Sequence, residues 1–467
     1  MAEKYDIAIL GGGPGGYVAA IRAAQLGFKT VVIDKDKLGG ICLNWGCIPT
    51  KSLLKNAELY DNIKNHGEEF GITVKELSFD FSKIIKRSRD ISDKITKNVE
   101  MLVKKNKIER IKGFGKLVSR NQIEILDYQG EKVQTINADN IILATGARPR
   151  SVPSIPADKK NIITSTEAMN LPGQPKELIV IGAGAIGIEF AYFYSVLGTK
   201  VTVIEMLDSI LPTEDKDVSD ALAKSFKKRG IELFTKTSVE KAESKGNKVE
   251  VTINTNGEKK KLTADKVLSA IGVTGNVEGI GLEELGVELF KNHIKVNKAT
   301  YETNVKGIFA IGDVIGPPWL AHVASAEGIH CVEKLKGLNP PDINYETIPG
   351  CTYCQPQVAS VGLTEAKAKE AGYEVKVGKF PFMASGKAFA VGEREGFVKF
   401  VTDAKYGEIL GVHIIGSEAT ELIAEATLAK TLEATTESII KTIHAHPTLS
   451  ESVMEAAAAV YGESIHI

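Results

Sequence analysis

One short pattern occurs twice in this chain and constrains its fold more than any other feature. At its first occurrence an apolar run ending at Leu10 leads into a turn whose glycines fit G-x-G-x-x-G: Gly11, Gly13 and Gly16. An Ala-rich helical stretch follows, and then a second apolar run that ends in Asp34. Glycines at this spacing let backbone N–H groups approach a pyrophosphate at a helix N-terminus, and the acid accepts ribose hydroxyls. The pattern predicts a dinucleotide-binding strand–turn–helix–strand module.

The same arrangement returns later in the chain. Gly182, Gly184 and Gly187 occupy the three glycine positions, and Glu205 lies as far beyond the first of them as the first module's acid lies beyond its own. Two complete modules predict two bound dinucleotides, and they disfavour the alternative that one module serves packing alone. A carboxylate at position 205 suits a free ribose 2′-hydroxyl, whereas a 2′-phosphate would favour Arg, so the second dinucleotide is predicted to be NAD.

A pair of cysteines follows the first module. Cys42 and Cys47 are two of five cysteines, and their spacing does not fit CxxC. No second Cys/His pair follows at zinc-finger spacing, so no metal site is predicted. If a helix begins at Cys42, its dipole would lower a thiol pKa, and the pair could cycle between dithiol and disulfide. The alternative is that both are small buried apolar residues, and this segment alone does not separate the two.

Composition excludes several classes of function. The net charge is −1 with 25% charged residues, which gives no basic field for nucleic acid. No apolar run approaches the roughly 18 residues of a membrane span, and the first apolar run begins too early for a signal peptide, so we expect a cytoplasmic protein without membrane contact. A length of 467 residues predicts several domains, and the odd, sparse cysteines favour a catalytic over a structural disulfide.

The remaining segments predict helices that support the fold, further strands, and strand ends that could contact a ligand. Residues 58–106 are typical of charged amphipathic helices and residues 107–135 of a small β-meander. Apolar runs end in Ala144-Thr145-Gly146 and in Gly312-Asp313, where the backbone can approach a flat ligand and Asp313 can bind a polyol. Residues 375–415 predict an antiparallel sheet, followed by two Ala-rich helices.

Two features near the end of the chain carry possible chemistry. His446 precedes Pro447, and Glu451 follows at the start of a helix, so the imidazole could be a general base held by that carboxylate. The alternative is an ordinary packed or surface histidine. Cys351 and Cys354 form a CxxC pair, and we expect plain packing rather than an accessory redox or metal site.

With these motifs in place, the whole chain resembles the pyridine nucleotide-disulfide oxidoreductases of the glutathione reductase type. The resemblance rests on residues 11–16, 42–51, 145–146, 182–187, 312–313 and 446–451. It implies an α/β fold with two Rossmann-like dinucleotide-binding domains and a C-terminal α+β dimerisation domain. The implied segments are FAD-binding 1–147, NAD-binding 148–275, a second FAD-binding or central part 276–345, and dimerisation 346–467.

The resemblance also implies residue roles. Cys42 and Cys47 would form the redox disulfide, with Cys42 attacked by the substrate thiol and Cys47 nearest the flavin. His446 of the partner subunit would take the substrate proton, with Glu451 orienting it. The implied FAD contacts are Gly11, Gly13, Gly16, Asp34, Lys51, Gly115, Ala144, Thr145, Gly146, Asp313, Leu320, Ala321 and His322. The implied NAD contacts are Gly182, Gly184, Gly187, Glu189, Glu205, Val239 and Gly272, with Glu189 paired to Lys51.

Within the family, the motifs match members that oxidise protein-bound dihydrolipoamide with NAD⁺ in 2-oxo-acid dehydrogenase and glycine cleavage complexes. The partners implied are a second copy of the chain and the lipoyl domain of an acyltransferase or of the glycine cleavage carrier protein. Glutathione and trypanothione reductases normally use NADP, against which Glu205 argues. Mercuric reductases carry a C-terminal cysteine pair that is not found here. A role as a mere docked subunit would not need the cysteine pair and His446 together.

Overall fold

The structure, a computed structural model, describes residues 3–467. Residue contacts divide the chain into two compact units of three segments each. The first unit consists of residues 1–52, 85–150 and 272–343, and the second of residues 53–84, 151–271 and 344–467. The predicted division into segments 1–147, 148–275, 276–345 and 346–467 stays a prediction.

The first unit is built on a seven-stranded sheet. Its strands, in spatial order, are Glu109–Lys112, Thr30–Asp34, Glu3–Leu10, Lys132–Leu143, Gln122–Leu126 and Phe114–Ser119, with Ile308–Ala310 also paired to Lys132–Leu143. The first four strands and Ile308–Ala310 are parallel, and Gln122–Leu126 and Phe114–Ser119 form an antiparallel edge. The meander predicted over residues 107–135 is therefore only partly correct, because Glu109–Lys112 pairs in parallel with Thr30–Asp34 at the opposite edge. Two ribbons complete the unit: Ala147–Pro149 with Val273–Gly275, and Leu289–Phe290 with His293–Ile294.

Apolar runs buried on both faces form the central parallel strands, as expected where helices cover a sheet. In strand Glu3–Leu10, Ile7 and Ile9 are fully buried on one face and Ala8 is fully buried on the other. The helices that lie wholly in this unit are Pro14–Gln25, Gly40–Trp45 and Ala321–Leu335, with a 3-10 turn at Gly312–Ile315. Helices Cys47–Asp61 and Phe81–Lys105 each contain a boundary between the two units.

The second unit contains three sheets. A parallel sheet has the order Glu232–Phe234, Lys200–Ile204, Glu177–Ile181, Lys266–Ser269 and Ile162–Ile163. An antiparallel sheet consists of Thr237–Lys245, Lys248–Thr255 and Glu258–Ala264. The third has the order Gly350–Thr352, Gln357–Gly362, Ile409–Gly416, Gly396–Asp403 and Val375–Pro381, and all its pairings are antiparallel. The antiparallel sheet predicted for residues 375–415 is thus confirmed, but its strands Gly350–Thr352 and Gln357–Gly362 lie before the predicted range.

Helices cover these sheets. Those lying wholly in the second unit are Ser165–Ala168, Ala185–Val196, Lys216–Lys228, Glu365–Glu370, Gly386–Ala390, Ala419–Thr431, Thr436–Lys441 and Glu451–Ala459. Short 3-10 or π turns occur at Asn62–His66, Gly67–Phe70, Tyr345–Thr347 and Phe382–Ala384. Among the residues described, no helix is both long and apolar enough to cross a bilayer.

Candidate active site

The first glycine turn is too tightly packed for side chains at two of its positions. Gly11 has a φ of +105°, and a Cβ there would lie 2.1 Å from the carbonyl oxygen of Ala144. A Cβ on Gly16 would lie 1.8 Å from the carbonyl oxygen of Gly11. Gly13 is different, because the nearest atom to its Cβ position is 3.8 Å away. The turn therefore holds the helix N-terminus close to the strand end, which is the arrangement that binds a pyrophosphate.

Asp34 ends the adjacent parallel strand and is fixed beside this turn. Its Oδ2 accepts a hydrogen bond from the backbone N–H of Gly12 at 2.6 Å, and its Oδ1 accepts one from Asp36 at 2.8 Å. Burial raises the pKa of the Asp34 carboxyl above its usual range, although the two N–H donors oppose that effect. The Asp34 carboxylate is thus held against the glycine turn through one of its oxygens, which is where the dinucleotide fingerprint needs its acid.

The second glycine turn repeats this geometry. Gly182 has a φ of +98°, and its Cβ position lies 2.4 Å from the carbonyl oxygen of Ala270. A Cβ on Gly187 would lie 2.0 Å from the carbonyl oxygen of Gly182. Glu205 Oε2 accepts a hydrogen bond from the backbone N–H of Ala183 at 2.7 Å. The second unit therefore holds a second complete dinucleotide fingerprint.

The other residues predicted for this site are placed differently. Gly184 has no atom within 4 Å of its Cβ position, so the space beside it is open. Glu189, on helix Ala185–Val196, is buried and accepts a hydrogen bond from the backbone N–H of Tyr353 at 3.0 Å. Val239 lies in the three-stranded antiparallel sheet of the same unit.

Two parts of the predicted NAD site lie outside this unit. Gly272 is the first residue of the third segment of the first unit, and Lys51 belongs to the first segment of that unit. The grouping of Gly272 with the second glycine turn and the pairing of Lys51 with Glu189 therefore stay predictions.

Further predicted contacts surround the first glycine turn, at the carboxyl ends of the parallel strands. The hydroxyl of Thr145 donates to the carbonyl oxygen of Asn276 at 2.8 Å, which fixes the strand end. Gly146 has a φ of +71° and no atom within 4 Å of its Cβ position. Ligands of open parallel sheets bind at this edge.

Asp313 lies at the end of the neighbouring strand. Burial raises the pKa of its carboxyl to about 6, and the nearby charge of Glu327 adds to the effect. Glu327 is itself buried and accepts a hydrogen bond from the backbone N–H of Gly312 at 2.7 Å, so it holds the turn before Asp313. Sequence reasoning missed Glu327, because one acid within an amphipathic helix gives no distinguishing signal.

The remaining predicted flavin contacts lie at the start of a helix or within a strand. Leu320 is the N-cap of helix Ala321–Leu335, so Ala321 and His322 form its first turn. This helix packs closely on the glycine-turn helix, since a Cβ on Gly328 would lie 2.7 Å from the carbonyl oxygen of Gly15. Gly115 lies within strand Phe114–Ser119, where a Cβ would lie 3.0 Å from the Leu10 side chain.

The two cysteines are placed by two successive helices. Cys42 lies in helix Gly40–Trp45, whereas Cys47 is the first residue of helix Cys47–Asp61. Gly46 separates the two helices, so Cys42 is the third residue of one helix and Cys47 the first residue of the next, and each thiol lies in the first turn of a helix. Contact with the Cys47 sulfur and burial raise the pKa of the Cys42 thiol, and the charge of Lys51 opposes this. The two sulfurs are thus neighbours, as disulfide formation requires.

His446 and Glu451 form the predicted pair. The Nδ1 of His446 lies 2.9 Å from Oε1 of Glu451, whose Oε2 accepts a hydrogen bond from the backbone N–H of Thr448 at 2.7 Å. Burial opposes ionisation of Glu451, but the hydrogen bonds from Thr448 and His446 outweigh it and lower its pKa. The His446 side chain is 79% exposed, so its Nε2 side is open to a ligand or another chain. His444 is instead buried and bonded to Glu425 at 2.7 Å.

The CxxC pair has a packed environment. Cys354 is fully buried, and its sulfur lies 3.3 Å from the carbonyl oxygen of Pro356, while Cys351 is half-buried against the C-terminal core. Within residues 3–467, no group of three or more His, Cys, Asp and Glu side chains could hold a metal ion.

These placements fit two dinucleotides. Open Cβ positions at Gly13, Gly146 and Gly184 leave room for a ligand, while each module's acid is anchored to its glycine turn. Asp313 adds a desolvated carboxyl, which is a suitable acceptor for a polyol hydroxyl. The first unit therefore has residues suited to hold FAD, and the second has residues suited to hold NAD.

Comparison with known proteins agrees with this geometry. Residues 5–328 match the family described as pyridine nucleotide-disulphide oxidoreductase, and residues 348–457 match the dimerisation domain of that family. The second match includes His446 and Glu451. Members of the family bind FAD and NAD(H).

Individual relatives are similar over their whole length. The dihydrolipoyl dehydrogenase of Zymomonas mobilis is 48% identical over 100% of both chains, and that of Bacillus subtilis is 45% identical over 100% of both. The mitochondrial enzyme of Pisum sativum is 42% identical over 100% of this chain and 93% of its own.

Two solved structures share the fold. LpdA of Mycobacterium tuberculosis superimposes with a TM-score of 0.90 at 28% identity, covering 98% of this chain and 99% of its own. The HOCl-induced flavoprotein disulfide reductase RclA of Escherichia coli has a TM-score of 0.87 at 25% identity with the same coverage. The predicted fold class, family and enzyme class are confirmed, and the chain belongs to the pyridine nucleotide-disulphide oxidoreductases.

Proposed function

We propose that this protein oxidises protein-bound dihydrolipoamide to lipoamide with NAD⁺, using Cys42, Cys47, FAD and the His446–Glu451 pair. The observation that carries the proposal is the contact between the Cys42 and Cys47 sulfurs, in a chain 48% identical from end to end to a dihydrolipoyl dehydrogenase. A half-buried dithiol beside a lysine and a helix N-terminus is suited to thiol–disulfide exchange.

The exchange starts from the Cys42–Cys47 disulfide. One substrate thiolate attacks the Cys42 sulfur, forms a mixed disulfide and releases Cys47 as a thiolate. The N-terminus of helix Cys47–Asp61 and the charge of Lys51 stabilise that thiolate. The second substrate thiol then displaces Cys42, so the substrate leaves as a cyclic disulfide and the cysteine pair has gained its two electrons.

His446 is the base that this thiol–disulfide exchange requires. Its Nε2 takes the proton of the attacking substrate thiol, and Glu451 stabilises the resulting imidazolium through the 2.9 Å contact to Nδ1. Because the His446 side chain is 79% exposed, it can act in a site that a second copy of the chain completes. The match of residues 348–457 to a dimerisation domain supports the same arrangement.

FAD, when bound, supplies the two-electron carrier between the cysteine pair and NAD⁺. The chain contributes the two anchored glycine turns, the Asp34 and Glu205 carboxylates, and Asp313 as polyol acceptor. We further propose that the lipoyl substrate is carried by an acyltransferase or the glycine cleavage carrier protein. A cytoplasmic location belongs to the proposal, supported by the odd and sparse set of five cysteines, which does not suit a framework of structural disulfides.

Steady-state assays test the substrate. The purified protein should reduce NAD⁺ with dihydrolipoamide much faster than it reduces NADP⁺ with the same dithiol. Glutathione disulfide with NADPH should give no significant turnover. Turnover of glutathione disulfide with NADPH, without oxidation of dihydrolipoamide by NAD⁺, would leave the family assignment in place and reject dihydrolipoamide as the substrate.

A variant then tests the base. His446→Gln should lose roughly 100-fold or more of dihydrolipoamide oxidation, in line with the usual contribution of general-base catalysis. It should keep its flavin and its reduction by NADH. Near-normal dihydrolipoamide turnover in this variant would remove His446 from the mechanism.

A further inference from the structure

The C-terminal segment folds back onto the helix that begins with Glu451. The chain turns at Gly462, whose φ is +71°, and the backbone N–H of Glu463 donates to the carbonyl oxygen of Ala458 at 3.1 Å. This return brings residues 464–466 alongside the helix. The proposed function assigns no role to this segment.

The segment is held by a single carboxylate. Glu455 is only 5% exposed, and its Oε2 accepts hydrogen bonds from the hydroxyl of Ser464 at 2.5 Å and the backbone N–H of Ile465 at 2.9 Å. Its Oε1 lies 2.6 Å from Nδ1 of His466. Burial opposes ionisation, but these bonds together hold the pKa of Glu455 below its usual value. A buried carboxylate with these donors is a stable anion, and each donor comes from the C-terminal segment.

Glu455 lies one helical turn after Glu451, so the two carboxylates share one face of the helix. Each is paired with a histidine: Glu451 with His446 at 2.9 Å, and Glu455 with His466 at 2.6 Å. The charge of His466 also acts on Glu451, whose pKa it helps to lower. Two histidine–glutamate pairs therefore lie side by side, and only the first belongs to the proposed mechanism.

Charged groups on the neighbouring elements have other partners. Strands Val375–Pro381 and Gly396–Asp403, helix Thr436–Lys441 and the loop before Glu451 surround this helix. On the strands, Lys376 lies over the Tyr461 ring, and both Lys379 and Lys399 form ion pairs with Asp217. Asp403 accepts hydrogen bonds from the backbone N–H groups of Lys405 and Tyr406. On the adjacent helix and loop, Lys441 pairs with Glu437 and His444 with Glu425. When protonated, His466 is therefore the cationic group that the structure pairs with Glu455.

We propose that His466 is a positioning residue for the reaction: it neutralises Glu455 beside the His446–Glu451 pair and locks the C-terminal segment against that pair. The inference rests on the proposed role of His446 as the base. Without His466, Glu455 would be an anion without a cationic partner, one turn from Glu451. With His466, the base interacts mainly with its own carboxylate.

The pH dependence of kcat/KM for dihydrolipoamide tests this in the FAD-loaded enzyme. The acid limb of that profile reports deprotonation of the base. His466→Gln leaves Glu455 ionised without its cation, which favours protonated His446, so the limb should move to higher pH by about half a unit at low salt. Glu455→Gln removes the anion and should move the limb in the opposite direction. The double variant should return close to the wild-type profile, and high salt should reduce both shifts.

A matched control separates this effect from general surface charge. Glu437→Gln makes the same chemical change on the adjacent helix, where the carboxylate is 65% exposed and paired with Lys441. That variant should leave the profile unchanged. Reduction of the flavin by NADH does not use His446, so it should be normal in His466→Gln, which excludes damage to the fold.

The outcomes distinguish the two proposals. Dihydrolipoamide turnover that survives His446→Gln would overturn the proposed function. Loss of turnover in that variant, together with an unmoved acid limb in His466→Gln, would overturn the positioning role of His466 alone. If Glu455→Gln fails to fold, His466→Gln still decides, because that side chain is 68% exposed.

Discussion

The carboxylate of Glu205 accepts a hydrogen bond from the backbone N–H of Ala183 at 2.7 Å and so ties the end of one strand to the second glycine turn. Asp34 makes the equivalent bond to Gly12 at 2.6 Å in the first module. The acid of each fingerprint is therefore part of the turn's own architecture before any ligand binds. The acid's role in recognising a ribose can be separated by substitution from its role in holding the turn.

Glu205→Gln should keep the turn, since an amide oxygen can still accept the Ala183 N–H. It should raise KM for NAD⁺ about tenfold, because a charge-assisted hydrogen bond is replaced by a neutral one. The ratio of NAD⁺ to NADP⁺ efficiency should fall as well. Glu232→Gln on the adjacent strand is the control and should change neither value. An unchanged KM in Glu205→Gln would exclude this carboxylate from nucleotide binding.

Gly184 and Gly187 should respond to alanine in opposite ways. A Cβ on Gly187 would lie 2.0 Å from a backbone oxygen, so Gly187→Ala should lower Tm by several degrees through overpacking. Gly184 has a φ of −73° and open space, so Gly184→Ala should leave Tm unchanged and weaken NAD⁺ binding. Thermal melts and KM values check both. A normal KM in Gly184→Ala would show that this space is not used by the nucleotide.

Asp313 should make the flavin-free protein sensitive to pH. Burial raises its pKa from 3.8 to about 6, so the folded state binds the proton more tightly than the unfolded state. Stability from this group is complete below about pH 4 and is lost as pH rises to about 6. Flavin-free Asp313→Asn should thus melt above the flavin-free wild type at pH 7.5 and equal to it near pH 4. A difference independent of pH would contradict this assignment.

Lys399 should be essential to the stability of the second unit. Its side chain is 2% exposed, and its Nζ lies 2.8 Å from both Asp215 and Glu365. Lys399→Met would leave Asp215 as a buried, uncompensated charge, at a cost of about 3–5 kcal/mol. Lys379→Met is the matched control, because Lys379 contacts Asp217 at 3.4 Å but is 44% exposed. Equal Tm values for the two variants would show that the buried cluster adds no stability.

Local pattern was sufficient to predict much of this molecule. Both glycine modules could be located because glycine spacing, apolar strands and the terminal acid all lie within one short stretch. The antiparallel C-terminal sheet and its two Ala-rich helices followed from alternation and composition. The break at Gly46, which ends one helix before a second begins at Cys47, did not.

Features made by distant residues could not be predicted. Lys399 meets Asp215 and Glu365 across long separations in the chain, and a single lysine within a strand gives no sequence signal of its own burial. The support of the Asp313 turn by Glu327 depends on the packing of a helix on a strand end. The contact of His466 with Glu455 depends on the reversal of the chain at Gly462.

The most direct test of the account is the visible spectrum of the purified protein, titrated without oxygen first with dihydrolipoamide and then with NAD⁺. We expect a flavin spectrum that develops a long-wavelength thiolate-to-flavin band on addition of the dithiol and returns to the oxidised form with NAD⁺. This result would establish the cofactor, the cysteine pair and the direction of electron flow together. A protein without flavin, or one whose flavin responds to neither dihydrolipoamide nor NAD⁺, would contradict the central claim.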